Sequence, residues 1–321
     1  METAPIVLFT YNRVSDTRNL LQSLLGNELS KKSTLYIYSD GPKPGASEQD
    51  IAKVNAVRDF VRTKQWCKEV HIIEAESNMG CGPSIIRGVT EIVNKHGRVI
   101  VLEDDLNLSP FFLDFMNDAL NVYENTANVS SIGACNFFAC GPKFPSTFFI
   151  QYPDCLGWAT WADRWRFFEA DASKLLEELR SKNLIPKFNS EGAFDMEALL
   201  IAQINDHVSA WDIQWTATCI LKNWYSLYPN LSLTQHLYKG GDATHSHFEV
   251  LPPLQQEKLV VQKTDVEILP HVYQAMKLGY QKKSDFYGNK IEIKKDQTYY
   301  LNKLREVYYP LRAAFKKLKN R

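Results

Sequence analysis

The stretch from Arg98 to Ser109, RVIVLEDDLNLS, constrains the chain more than any other. Val99, Ile100, Val101 and Leu102 form a short apolar run with three β-branched residues, the pattern of a strand buried on both faces in a parallel sheet. The run stops abruptly at Glu103, Asp104 and Asp105. In open α/β sheets ligands bind in the crevice outside the carboxyl ends of the strands. Three adjacent carboxylates repel one another unless a proton or a cation neutralises them. Oxygen donors of this kind suit Mg²⁺ or Mn²⁺, which keep waters and complete their shell with substrate phosphates. The alternative is a solvated acidic turn, since Asp is a common turn former.

The rest of the first hundred residues repeats the same unit. Strands are expected at Ile6 to Thr10, Leu35 to Tyr38 and Val70 to Ile73. Helices are expected at Asp16 to Leu25, around Ser47 to Lys64, and at Ser84 to Asn94. This β-α-β-α-β-α-β order implies a parallel sheet with right-handed crossovers. Each strand then ends in polar residues: Asn12 and Arg13, Asp40, Asn78, and the acids. In a parallel sheet all of these lie along one edge. No GxGxxG follows the first strand and no GxxxxGK[ST] occurs, which argues against a dinucleotide fold and a P-loop.

Further on, a helix is expected from Pro110 to Tyr123, a strand from Val129 to Ala134, a helix from Phe194 to His207 and a short strand from Ser226 to Tyr228. Between them lies an aromatic stretch centred on GWATWADRW, followed later by WDIQW. It reads either as an aromatic core or as a surface of indole faces for sugars. After Pro252 and Pro253 the chain becomes more charged. Near its end seven basic residues between Lys303 and Arg321 face the single acid Glu306, interleaved with Leu301, Leu304, Leu311, Phe315 and Leu318. That basic amphipathic pattern, interrupted by Pro310, suggests peripheral membrane contact or a helix packed on the main body.

Composition sets outer limits. The 321 residues carry 37 Lys plus Arg against 37 Asp plus Glu, so no nucleic-acid partner is expected. The six cysteines form no CxxC pair and are expected as reduced thiols. No apolar run reaches the ~18 residues of a membrane span, and no signal-peptide pattern opens the chain. A cytoplasmic protein is expected.

Taken in order, IVLFTYNR, SDGPK, NMGCGPSIIRG, VLEDD, GWATWADRW, WDIQW and GGDATHSH resemble the GT-A glycosyltransferases. The likeness is greatest to bacterial family-2-like sugar transferases and to the N-acetylglucosaminyltransferase I type. It implies an α/β fold with a Rossmann-like, mostly parallel central sheet flanked by helices. The catalytic domain would span residues 1–250, with a nucleotide-binding half over 1–109 and an acceptor half over 110–250. A mainly helical extension over 251–321 falls outside the resemblance. The implied donor is a UDP- or GDP-sugar, the acceptor a hydroxyl of a glycan or a lipid-linked sugar, and the cofactor Mn²⁺ or Mg²⁺. Thr10, Asn12 and Arg13 would line the nucleotide pocket, Asp40 would bond the base, and Asn78, Gly80 and Arg87 would pass over ribose and phosphates. Glu103 and Asp104 would hold sugar and ribose, Asp105 and His245 the metal, and Asp212 would be the catalytic base of an inverting reaction.

That division of labour fits the chemistry. A departing diphosphate develops negative charge that a divalent ion stabilises, and a separate carboxylate must take the acceptor proton. Trp211 and Trp215, flanking Asp212, are expected to give its carboxyl apolar surroundings. Rival readings are a nucleotidyltransferase acting on sugar phosphates, although its glycine-rich basic signature is missing near the N-terminus, and a non-catalytic carbohydrate-binding protein built from the tryptophans.

Overall fold

The computed structural model describes residues 3–137, 144–237 and 254–291, with side chains to Lys282. Three βα units and a fourth strand open the chain: β1 (Ile6–Thr10), α1 (Val14–Leu25), β2 (Thr34–Ser39), α2 (Glu48–Val61), β3 (Glu69–Glu74), α3 (Cys81–His96) and β4 (Arg98–Glu103). Then come β5 (Leu106–Leu108), α4 (Phe112–Tyr123), β6 (Val129–Gly133), β7 (Thr147–Ile150), β8 (Trp158–Trp161), α5 (Ala162–Trp165), α6 (Ala172–Ser181) and α7 (Ile185–Phe188). The remainder is α8 (Met196–Ile204), α9 (Trp211–Leu221), β9 (Tyr225–Pro229), β10 (Thr234–His236) and α10 (Pro270–Ile291).

Eight strands form one sheet in the order β3-β2-β1-β4-β8-β6-β9-β7. The pairs β2–β3, β1–β2, β1–β4 and β6–β9 are parallel, whereas β8 is antiparallel to both of its neighbours and β7 to β9. The sheet is therefore mixed α/β and mostly parallel, with helices on both faces.

The apolar run of β4 sits at its middle. Ile100 and Leu102 face one core with Leu20, Leu24 and Phe115, while Val99 and Val101 face another with Ile85, Val89 and Trp158. Burial on both faces is why the strand lacks polar alternation. A third cluster under α6 to α9 holds Leu179, Phe188, Ile213 and Ile220.

The aromatic stretch resolves into core. Trp66, Trp158, Trp161, Trp165, Trp211 and Trp215 are each no more than 5% exposed. Trp158 stacks on Trp211 at 5.3 Å, and Trp165 lies 5.2 Å from Trp215. The physical cause is the antiparallel insertion of β8 between β4 and β6, which puts its tryptophans beneath helices. A sugar-binding face made of these indoles, and the non-catalytic reading built on it, are set aside.

The helix expected from Phe194 to His207 is shorter, Met196–Ile204. Asp195 caps it by accepting from Ala198 N, and Asp206 just beyond has a left-handed φ of 56°.

Among the described residues, those just after 253 bond and pack against the main body. Gln255 N donates to Ser232 O (2.8 Å), Ser109 Oγ donates to Gln255 O (2.6 Å), and Leu259 and Val261 enter the first core. The four-residue spacing of Val272, Met276 and Tyr280 lays α10 into the third cluster. Among the described residues no helix is long and apolar enough to cross a membrane, and Cys67, Cys81, Cys135, Cys155 and Cys219 are free thiols. The basic amphipathic stretch and the GGDATHSH loop, His245 included, lie outside the described residues.

Candidate active site

The carboxyl edge of the first four strands gathers nearly every residue that the sequence nominates. Three helices, α1, α3 and α9, begin at this edge, and no side chain caps any of them. Their first-turn N–H groups and positive dipole ends suit an anion. The N-termini of α3 and α9 nearly touch: a Cβ on Gly82 would lie 3.0 Å from Ser209 Oγ and 3.8 Å from Trp211 Cβ.

Arg13 is the N-cap residue of α1, where a cation is electrostatically unfavourable. Carboxylates compensate. Its Nη2 donates to Asp104 Oδ1 and, at 3.0 Å, to Asp105 Oδ2, and Asp16 lies 3.9 Å from Nε. Asp105 has a second partner that the sequence reading missed, His236, with Nε2 3.2 Å from Oδ2. The two-stranded ladder of β5 and β10 places it there: His236 sits opposite Leu106, next to Asp105.

These contacts separate the three acids. Burial would raise Asp105, but His236 and Arg13 outweigh it and hold the carboxyl below the usual range. Burial pushes Asp104 up to about 7 against the pull of Arg13. Among the described residues no cation pairs with Glu103. Burial, then the charges of Asp105, Asp104 and Asp212, push it up to about 8.

Glu103 thus makes a testable contribution to stability. Its folded value lies above its ordinary 4.5, so between about pH 4.5 and 8 the folded chain keeps a proton that the unfolded chain releases. Stability falls as pH rises through that window. Glu103→Gln should flatten the decline, gaining on the parent at pH 8 relative to pH 5. Urea midpoints for both chains at both pH values measure it, and parallel declines would show that Glu103 is not the group responsible.

Asp40 follows β2 and is tied to the loop after β3. Its Oδ1 accepts from Gly41 N and Met79 N (both 2.8 Å), and its Oδ2 from Asn78 Nδ2 (2.8 Å) and Gly80 N (3.0 Å). Four bonds use its acceptor positions, so the carboxylate stitches the 78–80 loop to the end of β2. Two glycines make the stitch possible. A Cβ on Gly41 would lie 2.6 Å from the Ser77 backbone, and Gly80 has a φ of +84°. Asn78 shares the stitch, also donating to Gly41 O at 3.1 Å.

Arg87 is not brought to the acids by the contacts it makes. It pairs with Glu91 one helical turn on (2.8 Å) and touches Met79 Sδ. Thr10 ends β1 with a buried hydroxyl that finds no hydrogen-bond partner among the described residues, and neither does Asp104 Oδ2. Asn12 is half-buried in the bend after β1.

Asp212 stands in the first turn of α9. Its charge is felt at Glu103 and Cys81, and Cys155 Sγ lies 3.9 Å from its Oδ2. The apolar surroundings expected from its neighbours are not there: Trp211 and Trp215 point into the core, whereas Asp212 is exposed.

As a metal centre the edge offers an incomplete protein set. Among the described residues no three His, Cys, Asp or Glu side chains come together as one. The Asp105 carboxylate and His236 imidazole do form an oxygen-nitrogen pair. Such a pair fits an ion that takes its remaining ligands from water and a substrate diphosphate. A trough of about 590 Å³ lies elsewhere, on the β2–β3 face beside α3, lined by Tyr36, Tyr38, His71, Glu91 and Lys95 among others and by none of the residues that the sequence nominates.

No protein-family model matches the chain, and no curated protein matches it. Among solved structures it is similar to S. aureus TarS, with 17% identity over 46% of this chain and 24% of that one and a TM-score of 0.28. This chain thus spans about a quarter of TarS. It is similar to mouse xyloside xylosyltransferase 1 in its apo form, with 11% identity over 68% and 82% and a TM-score of 0.39. It is also similar to UDP-glucose pyrophosphorylase complexed with UDP-glucose, with 11% identity over 51% and 78% and a TM-score of 0.30. Superpositions this partial assign neither a family nor an activity.

Proposed function

We propose that the chain is a glycosyltransferase that moves a sugar from a UDP- or GDP-sugar to a hydroxyl of a glycan or lipid-linked acceptor, with inversion and with Mn²⁺ or Mg²⁺. The observation that carries the reading is the pairing of Asp105 with both Arg13 and His236 at the end of β4, in the same crevice as the first turn of α9 with Asp212. The ordered motifs of the sequence support it.

In this reading Asp105 and His236 hold the ion, which supplies stabilisation of the negative charge on the departing diphosphate. Arg13 reaches the same charge as a fork-shaped donor, helped by the uncapped starts of α1 and α3. Asp40 keeps the 78–80 loop closed against the nucleotide. Glu103, holding its proton near neutral pH, can donate to a sugar oxygen. Asp212 takes the proton of the acceptor hydroxyl from the side opposite the leaving group. The setting we infer is the cytoplasmic face of a membrane, with the basic amphipathic end of the chain meeting a lipid-linked acceptor; support for that part is sequence pattern alone.

The test is a thermal-shift screen of UDP-, GDP-, CMP- and dTDP-sugars with and without Mn²⁺, followed by an assay for released nucleoside diphosphate. A ligand at 100 times its Kd stabilises the native state by about 2.7 kcal/mol. One nucleotide class should therefore raise Tm by several degrees, more with Mn²⁺, and release its diphosphate. Production of pyrophosphate from a nucleoside triphosphate and a sugar phosphate would instead favour a nucleotidyltransferase.

A further inference from the structure

The last described helix reaches the neighbourhood of Asp212, although it belongs to the extension that the sequence motifs do not cover. Tyr280 is one of three buried residues on its inner face, with Val272 and Met276. Its ring is cradled by Phe137 (5.3 Å, edge-on), Tyr152 (5.4 Å) and Phe194 (6.0 Å). Tyr152 opens the segment that crosses from the end of β7 to the start of β8. Two residues later comes Asp154, buried and accepting from Cys135 N at 3.1 Å. Next is Cys155, whose thiol touches Asp212. Ile213, the residue after Asp212, packs in the same apolar cluster as Tyr280.

We propose that Tyr280, delivered by α10 into this cradle, is a positioning residue for Asp212, so that residues 270–282 complete the acceptor side of the site. The phenol has no catalytic contact of its own in this scheme. It fixes the 152–155 segment and the start of α9 relative to each other, and with them the direction in which the Asp212 carboxylate faces an acceptor. Its protonation state suits the task. Burial, then Tyr152, Asp154, Cys155 and Asp212, hold the phenol well above its ordinary value, so it stays protonated and neutral beside these acids.

The inference rests on the reading of Asp212 as proton acceptor, and the experiment separates the two. Full-length chains carrying Tyr280→Phe, Asp212→Asn and both changes are compared with the parent, using the sugar nucleotide that the screen selects and following nucleoside diphosphate release. Tyr280→Phe keeps the ring in its cradle, so Tm and the KM for donor should stay at parental values. The kcat should fall by about tenfold, within the range of coupling between residues of one network. The double variant should be no slower than Asp212→Asn alone, because a misplaced base that cannot accept a proton has nothing further to lose. Tyr280→Ala, which also empties the cradle, should lower Tm as well. Parental kcat in Tyr280→Phe, or losses that multiply in the double variant, would overturn the positioning role alone. Parental turnover in Asp212→Asn would overturn the reading of Asp212 and this proposal together.

Discussion

Asp105→Ala is expected to remove the Mn²⁺-dependent part of nucleotide binding and to lower transfer by about 10²–10³-fold, the several kcal/mol that a Lewis acid contributes to a developing charge. The expectation follows from the position of Asp105 among three acids. Glu103 holds its proton, and Asp104 is buried and bonded to Arg13. Asp105 alone couples the cluster to an imidazole, through the 3.2 Å contact with His236. Its loss also costs Arg13 a 3.0 Å bond. Removing one partner of a buried ion pair is destabilising, but here the change also relieves the repulsion between Asp105 and Asp104. The net effect on folding should therefore be smaller than the effect on metal dependence. Isothermal titration with Mn²⁺ and nucleoside diphosphate, alone and together, distinguishes the two. Unchanged metal-dependent affinity in the folded variant would falsify the assignment of Asp105. His236→Ala should move the same quantity in the same direction by a smaller amount.

Much of this site is legible in the residues. A β-branched run that stops at three acids leaves little choice but a doubly buried strand delivering carboxylates to a sheet edge, and β4 does this between two cores. The strand-ending polar residues converge because the first four strands are parallel. What escaped the sequence depends on long-range register. His236 reaches Asp105 through two strands of three residues each, too short to leave a periodic signature. The only local sign was alternation in LSLTQH, with a histidine at its end. Asp40 bonds its neighbour Gly41 and, about 40 residues downstream, the Asn78 side chain and the Met79 and Gly80 N–H groups, and nothing local announces that four donors from two loops will meet one carboxylate. The tryptophans were undecidable from the chain alone, since a buried aromatic cluster and a sugar platform have the same composition. The antiparallel entry of β8 decided for the core.

Asp212→Asn is the substitution that tests catalysis separately from binding. Asparagine keeps the size of the side chain and one acceptor oxygen but cannot take a proton. Turnover with saturating acceptor should fall by about 10²–10⁴-fold, the range for losing a general base. Donor affinity should survive, because among the described residues no hydrogen bond or ion pair shown joins Asp212 to Arg13 or to the 78–80 loop. The side effects can be bounded. Asp212 is the acid in the first turn of α9, and a charge there contributes about 0.3–1 kcal/mol through the helix dipole. The variant should thus melt slightly below the parent. Against that loss, Glu103 and Cys81 are relieved of a neighbouring negative charge that now raises both. The pH dependence of stability should accordingly shift a little toward that of Glu103→Gln. A Tm close to the parent with donor binding intact and turnover lost would mark Asp212 as the proton acceptor. The same Tm with turnover retained would leave it as an ordinary first-turn carboxylate, and the base would have to be sought among the other acids at the ends of the strands.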